Sequence, residues 1–323
     1  MENVIISGIT GQDGVFLSDL LLSKKKYYIF GISRKMNSQE FKSKLLKISD
    51  VDTKNLTIVN TDIYSKKEVN SLIKSTNPMY VFNLTGPSSV YESIYYPENK
   101  KLIISSFENL TDALIKNENF CNFFQASSSE MFKPSKKKLT ETSRMEPRFP
   151  YSEAKYENHR SVLKLNKEYN WNIYSGIMFN HESELRNENY LIMKIITTAI
   201  LIKYKKSKKL VVGSLDYIRD WSYAGDVACA MYLINKYGKD SSYIIGSGNG
   251  TKVGNIINYV FGYLGLDWEK YVEVDKSLLR KNDAEIIVSD PSKLFDEFNW
   301  KPKFNIEQIL EKCIKFKIIE LGN

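Results

Sequence analysis

Val4-Ile5-Ile6-Ser7-Gly8-Ile9-Thr10-Gly11-Gln12-Asp13-Gly14 is the stretch of this chain that decides its fold. Its first residues form a short apolar run that predicts a buried strand, and an apolar helical pattern follows as far as Leu22. Between strand and helix, Gly8, Gly11 and Gly14 form the pattern G-x-x-G-x-x-G. The first glycine permits a tight turn, the second lets the backbone approach a pyrophosphate, and the third lets helix and strand pack closely. The stretch therefore predicts a dinucleotide site, with the pyrophosphate at the N-terminus of the helix.

The end of the second predicted strand indicates which dinucleotide binds. A site that prefers NAD usually places Asp or Glu there for the ribose 2′-hydroxyl. This chain has Ser33-Arg34-Lys35 about 20 residues beyond Gly14, and an arginine supplies fork-shaped donors for a 2′-phosphate. Arg34 and Lys35 therefore favour NADP, although two ordinary surface charges would give the same pattern. Asp62 and Ile63, after the third strand, are placed to meet the adenine.

The first half of the chain alternates between strand-like and helix-like segments. This rhythm predicts a parallel sheet covered on both faces, and it changes after about residue 180, where long helical segments dominate. We therefore expect an α/β protein with a Rossmann-type doubly wound parallel sheet and a smaller C-terminal α/β substrate-binding domain. Residues 1–178 would form the NADP-binding domain, with segments near 214–246 and 286–290 returning to it, and 179–323 would mainly form the substrate domain.

Composition is that of an ordinary globular protein with an excess of positive charge. The 323 residues predict about two domains, and 42% hydrophobic with 26% charged residues suits a buried core. No apolar run reaches the ~18 residues of a membrane span. The net charge of +8 suggests either nucleic acid binding or solvated lysine faces. Because the lysines are scattered, we expect no nucleic acid partner and no membrane, but a mild positive field that suits phosphate-bearing ligands.

The cysteines and histidines indicate the compartment and argue against a metal site. Cys121, Cys229 and Cys313 are widely spaced and odd in number, which suits free thiols in a reducing cytoplasm. The N-terminus enters a strand without the basic and apolar regions of a signal peptide. His159 and His181 are the two histidines, too few for a His-rich metal site. We therefore expect a cytoplasmic protein without a metal.

A second region, 125–155, carries candidate catalytic groups. Gln125-Ala126-Ser127-Ser128-Ser129-Glu130 reads as the end of a buried strand, and Pro150-Tyr151-Ser152-Glu153-Ala154-Lys155 reads as the start of a helix. Tyr151 and Lys155 would share a helix face with Cβ atoms roughly 5–6 Å apart, and an ammonium that close would lower the pKa of the phenol. The spacing alone is weak, because five Tyr-x-x-x-Lys matches begin at Tyr96, Tyr151, Tyr190, Tyr204 and Tyr232. Only Tyr151 follows a strand end rich in Ser and Glu.

These motifs resemble the GDP-mannose 4,6-dehydratase family of extended short-chain dehydrogenases/reductases. The resemblance covers essentially the whole chain, and its motifs are 8–14, Asn83-Leu84, 125–130, 150–155, 176–183, 213–216, Arg219-Asp220-Trp221, 290–293 and Trp300-Lys301-Pro302. Departures from the family pattern cluster near the expected sugar pocket and cofactor edge. They are Met131, Lys133, Phe149, Asn99, the stretch 84–89 and Glu184-Leu185.

The resemblance implies roles for individual residues. The residues implied in catalysis are Ser128, Glu130, Tyr151 and Lys155. Those implied in cofactor binding, beside Arg34, Lys35, Asp62 and Ile63, are Gly8, Thr10, Gly11, Gln12, Asp13, Gly14, Leu84, Tyr151, Lys155, His181 and Arg186. Those implied in binding the sugar nucleotide are Ser88, Asn180, Lys194, Arg219 and Arg280.

The resemblance also implies a reaction, with two alternatives left open. The expected enzyme is a hydro-lyase that converts GDP-mannose or a related GDP-sugar to its 4-keto-6-deoxy derivative, with tightly bound NADP regenerated in each turnover. A homodimer or homotetramer is expected. One alternative is a 4-reductase, 4-epimerase or decarboxylase of the same fold. The other is a non-catalytic NADP-binding protein, against which the complete catalytic set argues. The sugar stays open among mannose, a heptose and an amino sugar.

Overall fold

A parallel sheet grows outward from the strand that precedes the glycine-rich loop. The computed structural model describes residues 1–281 and 283–322. Its strands are β1 (Glu2–Ser7), β2 (Tyr27–Ile32), β3 (Leu56–Val59), β4 (Tyr80–Asn83), β5 (Asn122–Ser128), β6 (Ile173–Met178), β7 (Asn180–Glu182), β8 (Leu210–Val212), β9 (Ile218–Tyr223), β10 (Ser242–Ile245), β11 (Gly250–Lys252), β12 (Val272–Val274) and β13 (Ile286–Ile287). Its helices are α1 (Gln12–Ser23), α2 (Ser38–Leu45), α3 (Lys66–Thr76), α4 (Val90–Tyr95), α5 (Asn99–Lys116), α6 (Pro150–Tyr169), α7 (Leu191–Lys203), α8 (Ala224–Tyr237), α9 (Val253–Tyr263), α10 (Ser292–Phe298) and α11 (Ile306–Glu320).

The main sheet has seven parallel strands in the order β10-β6-β5-β4-β1-β2-β3. The direction of winding reverses between β1 and β4, where the Ser7 hydroxyl donates to Asn83 Oδ1 at 2.7 Å. In open α/β sheets, ligands bind at such a switch point, beyond the carboxyl ends of the strands. The predicted Rossmann-type doubly wound sheet is therefore confirmed, and the glycine-rich loop lies at its switch point.

Alternation of side chains along the strands builds one core on each face of the sheet. Val4 and Ile6 of β1 face a first core that includes α1 and α8, whereas Ile5 faces a second core under α3, α5 and α6. All three side chains are fully buried. This is the pattern expected of a strand that is covered on both faces.

The later part of the chain adds smaller sheets and the helices that pack beside them. β9 pairs with β7, β11 and β13, and β8 pairs with β12. Apolar residues of α7, α9 and α11 join the first core. The returning strand β10 lies at the edge of the main sheet, next to β6. The assignment of cofactor and substrate to separate domains stays a prediction.

Most elements match the sequence reasoning, and two helices and five strands of the described residues were missed. The expected helices at 97–117, 225–237, 252–263 and 305–320 are present within two residues at each end, as α5, α8, α9 and α11. The reasoning did not anticipate α2, α4, the six-residue strand β9 or the short strands β7, β11, β12 and β13. Within residues 1–281 and 283–322, no helix is long and apolar enough to cross a membrane.

Candidate active site

The glycine-rich loop has the geometry of an anion site. Gly8 has a φ of +73°, and a Cβ there would lie 2.7 Å from the carbonyl oxygen of Leu84. A Cβ on Gly14 would lie 2.4 Å from the carbonyl oxygen of Ile9, so both positions exclude a side chain. Gly11 precedes α1, and no side chain caps the helix. The first N–H groups of α1 are therefore open to an anion, and this cradle fits a pyrophosphate.

Lys44 is a residue of this region that the sequence reasoning missed. From α2, its ammonium donates to the carbonyl oxygen of Thr10 in the loop at 2.5 Å. Burial, together with the charge of Lys47, lowers the pKa of Lys44. The sequence does contain a signal for the helix that carries Lys44: Asn37 and Glu40 form a capping box, which marks the start of α2.

Gln12 and Asp13 connect the loop to β7. Asp13 Oδ1 lies 2.9 Å from His181 Nε2, and the Gln12 side-chain oxygen accepts from the Ser183 hydroxyl at 2.6 Å. Burial opposes ionisation of Asp13, but the charge and hydrogen bond of His181 hold its pKa at about 2. Burial likewise opposes protonation of His181, yet Asp13 raises its pKa. Gln12, Asp13 and His181, which are predicted to bind the cofactor, therefore also hold the loop in place.

Arg34 and Asp62 form an ion pair at the ends of β2 and β3. Arg34 Nη1 lies 3.2 Å from Asp62 Oδ1, and the Arg34 side chain is about half exposed. Lys35 is exposed beside it. The side chain of Ile63 is 5% exposed and belongs to the second core, so only the backbone of this residue can face the cofactor edge. Arg34 and Lys35, the two residues predicted to bind the 2′-phosphate, therefore lie side by side. Ile63 packs in the core, which the sequence reasoning did not anticipate.

The four predicted catalytic residues lie at the carboxyl end of β5 and the start of α6. Ser128 ends β5, and its hydroxyl accepts the backbone N–H of Glu130 at 3.2 Å. Tyr151 is the second residue of α6, and Lys155 lies one turn later, with its ammonium 5.7 Å from the centroid of the Tyr151 ring. Lys155 is anchored by donation to the carbonyl oxygen of Ala126 at 2.8 Å. Strand end and helix start thus meet as predicted.

The expected lowering of the Tyr151 pKa by Lys155 is wrong for this structure. Burial raises the pKa of Tyr151, and the hydrogen bond with Ser128 offsets that only in part. The charge of Glu130 raises it further. Burial also lowers the pKa of Lys155 to about 8, so the charged form of this side chain is itself disfavoured in the folded protein. A low dielectric penalises both charged forms, and helix spacing alone does not reveal this.

Two predicted substrate residues, Arg219 and Arg280, converge on one carboxylate. Arg219 Nη2 lies 3.2 Å from Asp283 Oδ1, and Arg280 Nη2 lies 2.8 Å from Asp283 Oδ2. Arg280 Nη2 is also 3.6 Å from Glu130 Oε1, which links the pair to the catalytic residues. Sequence reasoning missed Asp283, which belongs to none of its motifs. A cleft of about 350 Å³ opens between α4 and residues 277–281, with Arg280 in its wall.

Ser88 and Arg186 meet through Tyr190, near Tyr151. The hydroxyls of Ser88 and Tyr190 are 2.6 Å apart. The Arg186 guanidinium lies 3.6 Å from the centroid of the Tyr190 ring and 3.7 Å from Glu182 Oε2. Arg186 and Tyr190 both act electrostatically on Tyr151, in opposite directions. A predicted substrate residue and a predicted cofactor residue are thus brought together beside the phenol.

The remaining two predicted residues lie on the smaller sheets. The Lys194 ammonium donates from α7 to the carbonyl oxygen of Val211 in β8 at 2.9 Å. Asn180 opens β7, opposite Trp221 in the register with β9. Asn180 is therefore one strand away from Arg219, whereas Lys194 is held against β8.

Comparison with known proteins identifies the family. Residues 5–313 match the family model described as GDP-mannose 4,6 dehydratase. GDP-mannose 4,6 dehydratase 2 of Arabidopsis thaliana is 30% identical over 96% of this chain and 85% of its own length. The structure is similar to that of dTDP-glucose 4,6-dehydratase from Bacillus anthracis in complex with NAD (TM-score 0.84, 20% identity, 100% and 98% of the two chains). It is also similar to the RMD protein from Pseudomonas aeruginosa complexed with NADPH (TM-score 0.81, 18% identity, 99% and 98%).

The two solved structures support the fold alone. The match to the family model covers the glycine-rich loop, Glu130 and the helix that carries Tyr151 and Lys155. The chain therefore belongs to the GDP-mannose 4,6-dehydratase family.

Proposed function

We propose that this protein is a GDP-sugar 4,6-dehydratase, which removes water from GDP-mannose or a related GDP-sugar and leaves the 4-keto-6-deoxy sugar. One observation carries the proposal. Glu130 neighbours Ser128 and Tyr151, and its Oε2 is buried without a hydrogen-bond partner among the described residues. Moving a proton at a sugar hydroxyl needs one base, whereas eliminating water from the neighbouring carbons needs a second, and Glu130 is that group.

The proposed cofactor is NADP, tightly bound and regenerated in each turnover. The open N–H groups of α1 and the Gly8 turn would hold its pyrophosphate, with the Lys44 ammonium adding positive charge behind the loop. Arg34 and Lys35 would face the 2′-phosphate, and Asp62 the adenosine. The NAD and NADPH in the two similar solved structures support a nicotinamide cofactor.

Ser128, Glu130 and Tyr151 have separate tasks in the proposed reaction, and Lys155 places its ammonium beside the Tyr151 ring. A bound nicotinamide would supply the acceptor and later the donor of a hydride, together with a positive charge beside Tyr151. Tyr151 takes the proton of the C4 hydroxyl, which Ser128 helps to orient, so that C4 becomes a ketone. The ketone acidifies C5–H, and Glu130 removes that proton. Glu130 then passes the proton to O6, which leaves as water. Return of the hydride to C6 and addition of a proton at C5 would complete the 4-keto-6-deoxy sugar.

The substrate would lie across the two halves of the molecule. Arg219 and Arg280 provide two guanidiniums for its diphosphate, and such forks match phosphate oxygens. Ser88 would contact the sugar, and Asn180 and Lys194 the nucleoside side. The main sheet would then bind the cofactor, and the smaller sheets with α7, α9 and α11 the nucleotide sugar.

We further propose that the active form is a homodimer or homotetramer in the cytoplasm. Cys121, Cys229 and Cys313 are free thiols in the structure, which supports a reducing compartment.

A substrate panel tests the reaction. Purified protein is incubated with GDP-, UDP-, CDP- and dTDP-sugars without added NADP, and products are analysed by mass. We expect a GDP-sugar to lose one water. A product that requires stoichiometric NADPH would indicate a reductase, and a product of unchanged mass an epimerase.

Glu130→Gln tests the assignment of the second base. The variant should bind GDP and NADP as the wild type does and lose at least about a hundredfold in turnover, the usual contribution of a positioned base. Glu146→Gln is the matched control, because Glu146 lies on the following loop with a side chain 44% exposed. Wild-type turnover by Glu130→Gln would contradict the assignment of Glu130 as the second base.

A further inference from the structure

The C-terminal helix α11 contacts both sides of a cleft that opens beside the glycine-rich loop. The cleft has a volume of about 480 Å³ and lies between α2, residues 184–189 and the end of α11. Lys44 and Lys47 line its first side, and Lys317 and Glu320 line it from α11. This end of α11 belongs to none of the sequence motifs, so its contacts are visible only in the structure.

The first side of the cleft is tied both to the loop and to α11. The Lys44 ammonium donates to the carbonyl oxygen of Thr10 in the loop at 2.5 Å. Lys47, two residues beyond the end of α2, places its ammonium 3.0 Å from Glu320 Oε1. The helix α2 therefore connects the loop to the C-terminal helix.

The second side of the cleft is tied to the same two elements. It begins directly after Ser183, whose hydroxyl donates to the loop at 2.6 Å. Glu184 Oε1 lies 3.3 Å from the Lys312 ammonium, and Glu188 forms an ion pair with Lys317. Because Lys312 and Lys317 both belong to α11, the helix holds this side at two points.

Lys317 is the residue at which the two sides meet. Its side chain is 6% exposed, and its ammonium donates to Glu188 and, at 2.7 Å, to Glu320 Oε2. Burial opposes protonation, but the hydrogen bonds to these two carboxylates raise the pKa of Lys317. Without the ammonium, two like charges would face each other, and neither would keep its partner. Lys317 thus keeps the two sides of the cleft together.

We propose that Lys317 is a positioning residue, which holds α2 and residues 184–189 closed around the glycine-rich loop and thereby slows the release of a bound nicotinamide dinucleotide. The inference rests on the proposed function, because it takes the loop as the pyrophosphate site of the cofactor. Lys317 acts through its two carboxylate partners, one on each side of the cleft.

Cofactor release and GDP binding should respond differently to the loss of this charge. When the two sides part, the loop loses support and the dinucleotide leaves sooner. Arg219 and Arg280, proposed to bind the diphosphate of the substrate, do not line this cleft, so the affinity for GDP should not change. A residue that only stabilised the fold would lower the melting temperature and leave release from the folded protein unchanged.

The test compares Lys317→Met with the wild type. Each protein is loaded with NADPH, an excess of NADP is added, and the loss of bound NADPH fluorescence is followed by stopped flow. We expect the rate constant of release to rise roughly fivefold to fiftyfold, within the range of coupling between distant sites, while the Kd for GDP, measured by calorimetry, stays the same. An unchanged release rate, or a loss of GDP affinity as large as the gain in release, would overturn the proposal.

Two further variants separate the charge of Lys317 from general damage to the helix. Lys315→Met is the matched control, because this lysine is 63% exposed and pairs within α11, with Glu311. Its release rate should equal that of the wild type. Lys317→Arg keeps the charge and should keep release slow. Acceleration as large as that of Lys317→Met in either variant would contradict the proposal.

Glu320→Gln gives a measurement that does not depend on the folding of Lys317→Met, because the Glu320 side chain is 38% exposed. It removes the link to α2 and leaves Glu188 paired with Lys317, so we expect a smaller acceleration of release. An unchanged release rate in this variant also counts against the proposal. A wild type that holds NADPH but releases no water from any GDP-sugar would refute the proposed reaction instead, so the two failures are distinguishable.

Discussion

Lys155 shows what the active site demands of a single residue. Its ammonium is buried beside Tyr151, and burial lowers its pKa to about 8. Because an ordinary lysine has a pKa of about 10.4, the charged side chain destabilises the folded protein at every pH below about 8. That penalty disappears as the pH rises from about 8 to 10.4, where the folded protein releases a proton that the unfolded chain still holds. A site that keeps such a cation gives up stability for function.

Lys155→Met should therefore stabilise the protein and inactivate it. We expect the free energy of unfolding to rise by about 1–3 kcal/mol at pH 7, after allowance for the lost hydrogen bond to Ala126, and by less at pH 10. Denaturant unfolding of cofactor-free protein at the two pH values measures this. Lys164→Met, on an exposed position of the same helix, should show no such pH dependence. A Lys155→Met variant that is less stable than the wild type at pH 7 would contradict the prediction.

At the scale of elements, the structure depends on side-chain links between segments distant in the chain. The pair of Asp13 and His181 joins the start of α1 to β7, across 168 residues of sequence. Asp13 raises the pKa of His181, so the ring stays charged to a higher pH than in the unfolded chain. The link therefore stabilises fully below the ordinary histidine pKa of about 6.5, and this contribution is lost as the pH rises through the raised value.

His181→Gln should destabilise the protein more at pH 6 than at pH 9. We expect a loss of about 1.5–3 kcal/mol at pH 6, the range for a hydrogen bond to a charged group, and a smaller loss at pH 9. Chemical denaturation at both pH values gives the two differences. His159→Gln is a control with the opposite pH dependence, because burial lowers the pKa of His159 to about 4. Its ring is neutral in the folded protein at either pH, but the unfolded chain binds a proton there at pH 6, so the loss in this variant should be smaller at pH 6 than at pH 9. An equal loss in His181→Gln at both pH values would show that the pair contributes no charge interaction.

The elements also show how far sequence reasoning reaches. The glycine loop, the strand end at Ser128 and the Tyr151 helix were predictable, because local periodicity and turn chemistry determine them. Lys44 and Asp283 were not, since each matters through a contact with a residue far away in the chain, Thr10 in one case and Arg219 in the other. The pKa of Tyr151 was predicted with the wrong sign because burial, which residue spacing does not reveal, raises it, and the hydrogen bond with Ser128 offsets this only in part.

At the scale of the whole molecule, one core spans both parts of the chain. Ile309 and Leu310 of α11 belong to the same buried cluster as Val15 of α1 and Val227 of α8. The second core, which includes Trp171, lies on the opposite face of the same sheet. Strands β1, β4, β5 and β6 contribute alternate residues to the two cores. Both cores therefore depend on the same strands.

The shared sheet predicts that the whole chain unfolds in a single step, although its length exceeds that of most two-state domains. Heating should give one transition, with coincident midpoints for far-ultraviolet circular dichroism and for tryptophan emission. Trp171→Phe sharpens the test, because it leaves Trp221, Trp268 and Trp300 as reporters of the first core alone. Both signals of this variant should shift to one lower Tm, since Trp171 is 1% exposed and donates to the carbonyl oxygen of Cys121 at 2.6 Å. Saturating GDP should move the entire transition upwards by mass action. Two separated transitions, with only one of them responding to GDP, would mean that the parts unfold independently.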